Sequence, residues 1–325
     1  MKYNYIFFNM GYDFFQALYI PLEREPNVLI HKNGFDGTAL ENKLFFMHWS
    51  HKINKRIKLP LKKVWFNRMY SNPFDDGKPL CFVFMGGKYI AESPELREYI
   101  LKRDPRNKCI VYCADLISKK AWKMDEVKKR CDAVVTYNPM DAEKYGIYCY
   151  EKPLYSNIVP VTTPDEFDYD VFFLGFAKDR LQLIRDVYST LTRAGLRCKF
   201  IVCGVDAKDR TDDGIDYGEP IPYIENIEYV KRSKCILELI QGGSNTGTLR
   251  RSESIVYKRK LLSNFVGLTE TDSYNPGHMS VFSSPEEIDL DFIKSPIDYS
   301  VFSDGSEFSH VMLLEYFEQI LEEKQ

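Results

Sequence analysis

A glycine-rich turn followed by a charged helix is the part of this chain whose residue types and spacing predict binding chemistry. The turn, Gln241-Gly242-Gly243-Ser244-Asn245-Thr246-Gly247, connects the apolar run Cys235–Ile240 to a segment of helical pattern that begins at Thr248. Such a turn leaves backbone N–H groups free at a helix N-terminus, where the helix dipole favours an anion. Arg250 and Glu253 are three residues apart and share a helix face. These residues predict a nucleotide-diphosphate site.

A second group of candidates follows the strand-like run Asp170–Gly175, which ends at Gly175. Lys178 and Arg180 lie where this strand opens into a predicted helix, the position at which a doubly wound domain meets its ligand. Two cations there could hold a diphosphate, although an ordinary solvated start of a surface helix would show the same residues. Tyr223 precedes another helical segment and could form the nucleobase edge of the pocket.

The elements that must position these residues alternate between short apolar strands and helix-sized segments. This alternation predicts an α/β fold with parallel, doubly wound sheets covered on both faces. A chain of 325 residues with 44% hydrophobic content suits two domains of about 150 residues each. A proline-rich segment over 151–164 is the expected connection. We expect an N-terminal acceptor domain over 1–155, a C-terminal nucleotide-binding domain over 156–305 and a terminal helix over 306–325.

Composition excludes several other classes of protein. The net charge of −3 argues against a dedicated nucleic-acid binder, so no nucleic-acid partner is expected. The eight cysteines contain no Cys-x-x-Cys pair, which favours free thiols over a zinc site, and no metal or other cofactor is predicted. The apolar core of the N-terminus is too short for a signal peptide, and no run approaches the ~18 apolar residues of a membrane span. The expected location is the cytoplasm.

The glycine-rich turn, the charged helix after it and their flanking strands resemble those of GT-B-fold bacterial glycosyltransferases of lipopolysaccharide and capsular polysaccharide biosynthesis. The resemblance is carried by Asp170–Gly175 with Lys178 and Arg180, by the run from Gln241 to Glu253, and by 260–264 and 272–275. It covers about the C-terminal half of the chain. It implies two Rossmann-like domains that face a cleft, with a C-terminal helix that could return to the N-terminal domain. It also implies a UDP- or GDP-linked sugar donor and a glycan or lipid-linked acceptor.

Carried over to this sequence, the resemblance implies that Glu253 hydrogen-bonds the ribose hydroxyls. Thr246, Gly247 and Thr248 would then donate to the pyrophosphate, and Arg250 or Arg180 would neutralise it. Gln241 stands where many retaining members have a Glu-Gly-Phe-Gly run, so retention or inversion at the sugar carbon is left open. Preorganised N–H groups and cations can stabilise a departing diphosphate without a metal.

An inverting enzyme also needs a general base near the acceptor hydroxyl. Ligands of parallel sheets bind at the carboxyl ends of strands, which makes Asp13 the first candidate and His48 and Asp115 the next. In the alternative interpretation, Asp13 and Asp115 are turn or cap residues, and His48 is a packed aromatic neighbour of Trp49.

Residues 52–66 alternate cations with Ile, Leu, Val, Trp and Phe, a pattern typical of a surface that meets anionic lipid headgroups. The protein could therefore be peripheral on the inner membrane face. A solvated basic face with inward-pointing apolar residues, or RNA binding, would explain the same pattern. Two other functions stay open: an NAD-dependent Rossmann oxidoreductase, which no Gly-x-Gly-x-x-Gly supports, and a non-enzymatic two-domain sugar- or nucleotide-binding protein.

Overall fold

The structure of the chain is a computed structural model, and it divides into two compact units. Unit 1 comprises Met1–Pro153 with His310–Gln325, and unit 2 comprises Leu154–Ser309. The residues described are 1–8, 19, 21–31, 37–54, 56–57, 59–70, 72–87, 90, 93, 95–114, 116–117, 124–151, 161–164, 166–241, 248–304 and 308–323. Within these ranges no helix is both long and apolar enough to cross a lipid bilayer.

Unit 1 is built on a six-stranded parallel sheet with the strand order β2-β1-β3-β4-β5-β6. Its strands are β1 (Asn4–Phe8), β2 (Val28–His31), β3 (Leu80–Met85), β4 (Lys108–Cys113), β5 (Ala133–Thr136) and β6 (Tyr148–Cys149). Its helices are α1 (Ala39–His48), α2 (His51–Asn54), α3 (Phe66–Met69), α4 (Glu95–Arg103), α5 (Met124–Lys129), α6 (Pro139–Tyr145) and, from the far end of the chain, α11 (His310–Glu322). Short 3-10 helices span Leu22–Arg24 and Lys62–Trp65.

The helix α11 completes the core of unit 1. Its Phe317 ring lies 6.4 Å from the ring of Tyr5 in β1 and 6.1 Å from that of Tyr112 in β4. The Tyr5 hydroxyl donates to the carbonyl of Leu314 at 3.1 Å, and the Tyr316 hydroxyl donates to that of Cys149 at 2.8 Å. The last helix of the chain therefore covers one face of the first sheet.

Unit 2 also has a six-stranded parallel sheet, but its strand order is β12-β11-β10-β7-β8-β9. Its strands are β7 (Tyr169–Phe176), β8 (Cys198–Cys203), β9 (Asp216–Gly218), β10 (Ser233–Glu238), β11 (Lys260–Ser263) and β12 (Met279–Val281). Its helices are α7 (Leu181–Arg193), α8 (Tyr223–Lys231), α9 (Leu249–Tyr257) and α10 (Leu290–Lys294). Short 3-10 helices span Ala207–Asp209, Val266–Glu270, Pro285–Glu287 and Tyr299–Val301.

The predicted fold class, α/β with two doubly wound parallel sheets, is confirmed. One local expectation is wrong: the apolar run before His48 is not a strand, because it belongs to α1. A capping box fixes the start of that helix, since the Thr38 hydroxyl accepts from the Glu41 N–H while the Glu41 carboxylate accepts from the Thr38 N–H. The segment after β11 contains the 3-10 helix Val266–Glu270 and leads into the short edge strand β12.

Candidate functional site

The chain direction of unit 2 places a crevice between β7 and β10. From β7 the chain builds β8 and β9 on one side of the sheet, and it then builds β10, β11 and β12 on the other. The reversal leaves a topological switch point at the carboxyl ends of β7 and β10, which is where open α/β sheets bind their ligands. The predicted residues around Gly175 and Gln241 follow these two strands.

Arg180 joins the two strands at this switch point. Its Nη2 donates to the carbonyl of Phe176 at 3.1 Å, and its Nη1 donates to the carbonyl of Leu239, directly after β10. Gly175 makes room for the guanidinium, because a Cβ at this position would lie 3.3 Å from Arg180 Nη2 and 3.0 Å from the ring of Phe173. The absence of a side chain in the strand therefore lets the arginine lie across its end.

The charge of Arg180 is not neutralised by an ion pair. Its side chain is half-buried, and within the described ranges its hydrogen bonds go to main-chain carbonyls and no carboxylate lies within ion-pair distance. Burial lowers the pKa of Arg180, and the neighbouring charges of Asp179 and Glu238 oppose that shift. A partly desolvated cation held in this way is suited to an anionic ligand.

Lys178 lies in the turn between β7 and α7, where its φ of 47° is in the left-handed region. Few residues other than glycine adopt this conformation unless the surrounding structure holds them there. The side chain of Lys178 is exposed. It is therefore available to an anion at the same strand end as Arg180, but the structure gives it no fixed orientation toward that end.

Glu238, the last residue of β10, is a polar centre that the sequence analysis missed. Its carboxylate is buried and accepts three hydrogen bonds. The Thr248 N–H and hydroxyl donate to Oε1 at 2.6 and 2.7 Å, and the Ser263 hydroxyl donates to Oε2 at 2.6 Å. Asn264 adds a further bridge, because its side-chain oxygen accepts from the Ile240 N–H at 2.7 Å. Glu238 thus anchors the beginning of α9 to β11.

These contacts bear directly on the expected role of Thr248. The donors predicted to contact a pyrophosphate are used by an internal carboxylate instead. The Thr248 hydroxyl also caps α9 by accepting from the Arg250 N–H at 3.2 Å. The position therefore acts in this structure as an anchor for the start of α9, while Thr246 and Gly247 lie outside the described residues.

Glu253 is the centre of a second buried network. One carboxylate oxygen accepts from the hydroxyl of Tyr223 at 2.8 Å and from the side-chain amide of Asn226 at 3.3 Å. The other oxygen forms an ion pair with Arg250, whose guanidinium also donates to the Asn226 side-chain oxygen at 2.9 Å and to the carbonyl of Leu174 at 3.0 Å. Glu253 itself is fully buried. The network ties α8 and α9 to the end of β7.

This second network distinguishes the two arginines that the resemblance offered for the diphosphate. Arg250 points inward and has a carboxylate partner, whereas Arg180 has main-chain partners and stands at the switch point. Tyr223 is half-buried at the first turn of α8, so a ligand could contact its ring while its hydroxyl holds Glu253. The ribose role of Glu253 stays a prediction, and it requires the Tyr223 contact to open.

The catalytic candidates fall in unit 1. Asp13 and Asp115 lie outside the described residues. His48 is the last residue of α1, not a residue at the end of a strand. Its Nδ1 accepts a hydrogen bond from the indole N–H of Trp65 at 2.6 Å. A neutral ring in this state carries its proton on Nε2 and has no free lone pair, so His48 cannot act as a base without losing the Trp65 contact.

Acidic pairs of the Asp-x-Asp type do occur, although they lie away from the switch point. Asp168 and Asp170 are at the opposite, amino end of β7, where they pair with Arg232 and Arg197 respectively. Asp289 caps α10, and Asp291 follows in the first turn of that helix. In the described part of the chain no three His, Cys, Asp or Glu side chains are grouped as metal ligands.

Comparison with known proteins gives solved structures of similar fold. The chain matches no protein-family model and no curated protein sequence. Among solved structures, an alpha-glucosyltransferase in complex with UDP and a 13-mer DNA containing an HMU base aligns with a TM-score of 0.60 at 11% identity, over 98% of both chains.

Two further structures align over nearly their whole length. The DNA-modifying enzyme beta-glucosyltransferase has a TM-score of 0.50 at 14% identity, over 98% of this chain and 99% of its own. A protein named as a UDP-N-acetylglucosamine 2-epimerase from Listeria monocytogenes has a TM-score of 0.51 at 10% identity, over 97% and 96%. At such identities the likeness shows the fold, and this chain has the GT-B fold that the resemblance implied.

Proposed function

We propose that this protein is a glycosyltransferase that takes its sugar from a nucleoside-diphosphate donor bound at the carboxyl edge of the unit 2 sheet. The observation that carries the proposal is Arg180, a half-buried cation at the switch point between β7 and β10 that has no carboxylate partner among the described residues. Sugar transfer needs stabilisation of a departing diphosphate, and a cation in a partly desolvated site supplies it. The GT-B fold is consistent with this chemistry.

The roles of the surrounding residues follow from their positions. Arg180 would neutralise the diphosphate, with Lys178 from the exposed turn. Tyr223 would form the edge of the nucleoside pocket, and Glu253 would reach the ribose once Tyr223 moves. Glu238 would hold the glycine-rich turn in place without touching the ligand. UDP and GDP are the donors to test first, and no metal is part of the proposal.

For the acceptor we propose a glycan or a lipid-linked sugar of surface polysaccharide assembly. Support comes from the resemblance of residues 241–253 and from a net charge of −3, which does not favour a polyanionic acceptor. DNA is the competing acceptor class, because the alpha-glucosyltransferase of the same fold was solved with UDP and DNA. Asp13 and Asp115 are the proposed candidates for the general base.

Calorimetric titration with UDP, GDP and NAD tests the donor site. We expect UDP or GDP to bind, and we expect Arg180→Met to weaken that binding about tenfold to a hundredfold, since it removes a charge-assisted contact. Arg232→Met is the matched control, because Arg232 is an exposed arginine paired with Asp168 at the opposite end of the sheet. Equal affinity of the two variants would remove Arg180 from the site. Binding of NAD alone would favour the oxidoreductase.

A transfer assay then separates the acceptor classes. Nucleotide-sugars are supplied with an oligosaccharide, a lipid-linked sugar or a hydroxymethylated DNA duplex, and release of the nucleoside diphosphate is followed. Release that depends on either carbohydrate acceptor supports the proposal. Release that depends on DNA replaces the proposed acceptor, and conversion of the sugar without an acceptor indicates an epimerase.

A further inference from the structure

Exposed apolar side chains are concentrated in one short part of unit 1. The described residues include 14 large hydrophobic side chains that are exposed, and half of them lie between positions 40 and 64. These seven are Leu40, Leu44, Phe46, Met47, Ile57, Leu61 and Val64. Single exposed apolar residues are ordinary on a protein surface, whereas a cluster marks an interaction site.

The helix α1 contributes an apolar stripe to this cluster. Leu40, Leu44 and Met47 recur at the spacing of one helix face, and all three are exposed. The opposite side of the helix supplies the core, where Phe45 is fully buried together with Trp49 just after the helix. The helix therefore has two apolar faces, of which the core of unit 1 uses one.

The segment after α2 divides its apolar residues in a similar way. Trp65 and Phe66 are buried, while Ile57, Leu61 and Val64 are 67%, 72% and 57% exposed. The interpretation of 52–66 as a solvated basic face with inward apolar residues therefore holds for the two aromatic residues and in part for the half-buried Ile53 and Leu59. The three aliphatic side chains need another explanation.

The segment and α1 lie side by side. The guanidinium of Arg68 pairs with Glu41 at 2.6 Å, near the start of α1. The indole of Trp65 donates to His48 at the end of that helix, and the ammonium of Lys62 lies 5.5 Å from the ring centroid of Trp49. The exposed apolar side chains of α1 and those of the segment after α2 thus belong to adjacent elements of one surface. We call this surface the basic–apolar face.

The basic–apolar face carries a charge opposite to that of the whole chain. The described residues within 39–69 contain six cations and one acid, Glu41, which gives 6 − 1 = +5, against −3 for all 325 residues. The cations are Lys43, Lys52, Arg56, Lys62, Lys63 and Arg68. Glu41 is itself paired with Arg68. An anionic partner is therefore favoured.

We propose that the basic–apolar face binds the surface of an anionic lipid bilayer, with α1 and residues 57–64 lying in the interface. Aliphatic side chains among cations match the combination of acyl chains and anionic headgroups. A nucleic acid would use the cations but would leave the aliphatic side chains in water. A second copy of the face would bring two strongly positive surfaces together. The proposal does not depend on the proposed donor site.

Co-sedimentation with vesicles tests the apolar part of the face. Vesicles of phosphatidylcholine alone are compared with vesicles that also contain phosphatidylglycerol, and we expect binding to the second kind. Val64→Asp should lower the partition coefficient about tenfold. Val266→Asp is the matched control, since Val266 is 60% exposed in unit 2 and should leave binding unchanged. Both sites are exposed, so both variants should fold.

The charged part is tested with Lys52, Arg56 and Lys63 changed together to Gln. We expect at least about a tenfold loss of vesicle binding, because each cation near an anionic membrane contributes separately. Lys129, Lys208 and Lys294, exposed cations elsewhere on the chain, form the control triple. The same proteins are titrated with an RNA and a DNA duplex, and their mass is measured in solution.

Any of the following results would overturn the proposal. One is the absence of binding to phosphatidylglycerol vesicles. Another is vesicle binding that Val64→Asp and Val266→Asp reduce equally, which would show that position 64 has no special role. The third is nucleic-acid binding that the charge triple abolishes while vesicles are ignored, or a dimer that Val64→Asp dissociates. The donor titration is a separate measurement, so failure of either proposal leaves the other standing.

Discussion

The two units have the same kind of sheet but differ in the polar side chains at the carboxyl ends of their strands. In unit 1 Asn107 accepts from the Leu80 N–H at 2.8 Å and Asp132 accepts from the Cys109 N–H at 2.7 Å, both at the amino ends, and Asp141 accepts from the Ile117 N–H after β4. Unit 2 has such contacts too, but it adds Glu238 and Glu253 at the carboxyl ends. Contacts at the amino ends stabilise a sheet, and contacts at the carboxyl ends shape a site.

Each sheet reverses its strand order once. In unit 2 the reversal falls between β7 and β10. Described residues at the ends of both strands take part in polar networks. In unit 1 the reversal falls between β1 and β3, and residues 9–18 after β1 lie outside the described ranges. What unit 1 shows instead is the basic–apolar face on its surface. The two proposals place donor chemistry in one unit and surface attachment in the other.

The largest loss of stability is expected when the buried carboxylate of Glu238 in unit 2 is removed. Glu238→Ala would leave three donors without an acceptor, which costs about 4 kcal/mol of unfolding free energy. Asp141→Ala is the control in unit 1, because Asp141 accepts a single hydrogen bond, from the Ile117 N–H, and should cost about 1 kcal/mol. Denaturant unfolding followed by circular dichroism gives both values. Equal costs would remove the distinction between the two units.

Fluorescence makes that experiment specific to a unit, because all three tryptophans lie within residues 1–153. If the units unfold separately, Glu238→Ala should move the circular dichroism transition and leave the tryptophan transition in place. A shared shift would show that the two units unfold together.

A smaller effect is expected at the ion pair of α9. Arg250→Met leaves Glu253 buried and unpaired, so unfolding should become about 3 kcal/mol easier. The exposed pair of Arg232 and Asp168 is the control, and Arg232→Met should cost less than about 1 kcal/mol. A loss below 1 kcal/mol for Arg250→Met would mean that Glu253 is reached by water and is not a closed network.

A fall in pH should lower the free energy of unfolding of both units by similar amounts, which are smaller than the effect of Arg250→Met. Burial lowers the pKa of His278 in unit 2 and of His310 in unit 1 to about 4, from an ordinary 6.5. Each histidine is neutral in the folded state and takes up a proton on unfolding below pH 6.5, so stability falls as the pH falls. Between pH 7 and 5 each should cost about 2 kcal/mol.

Substitution separates the two histidines. His278→Phe should flatten the pH dependence of the circular dichroism transition, and His310→Phe should flatten that of the tryptophan transition. The His278 ring is tilted by 35° to that of Phe302, with centroids 4.3 Å apart, and neither of its nitrogens has a hydrogen-bond partner in the described structure, so phenylalanine fits the site chemically. Unchanged pH profiles would contradict the assignment.

The fold was predictable because the long strands are apolar and the long helices are periodic. The error at α1 came from Leu44–Met47, four apolar residues that suit a strand or a helix equally. The capping box of Thr38 and Glu41 was the signal that could have settled it. The residue pattern can therefore identify an element when the contacts that fix it are close in sequence.

The site was harder to predict because its contacts join distant elements. Thr248 was correctly placed at the start of a helix, yet its donors are used by Glu238 at the end of the preceding strand. A charged residue closing an otherwise apolar run was the available signal for Glu238. Nothing in the local pattern distinguishes Arg250 from Arg180, since the choice depends on which carbonyls and carboxylates the folded sheet brings near each.

The helix α11 has a consequence for synthesis of the chain. Unit 1 is encoded at both ends of the sequence, and the residues that pack on Tyr5 and Tyr112 follow the whole of unit 2. On the ribosome the first sheet therefore emerges with an uncovered apolar face and waits for about 160 further residues, many seconds of elongation. Unit 2 is continuous and can finish folding first. The core of unit 1 is thus completed only after unit 2 has been synthesised.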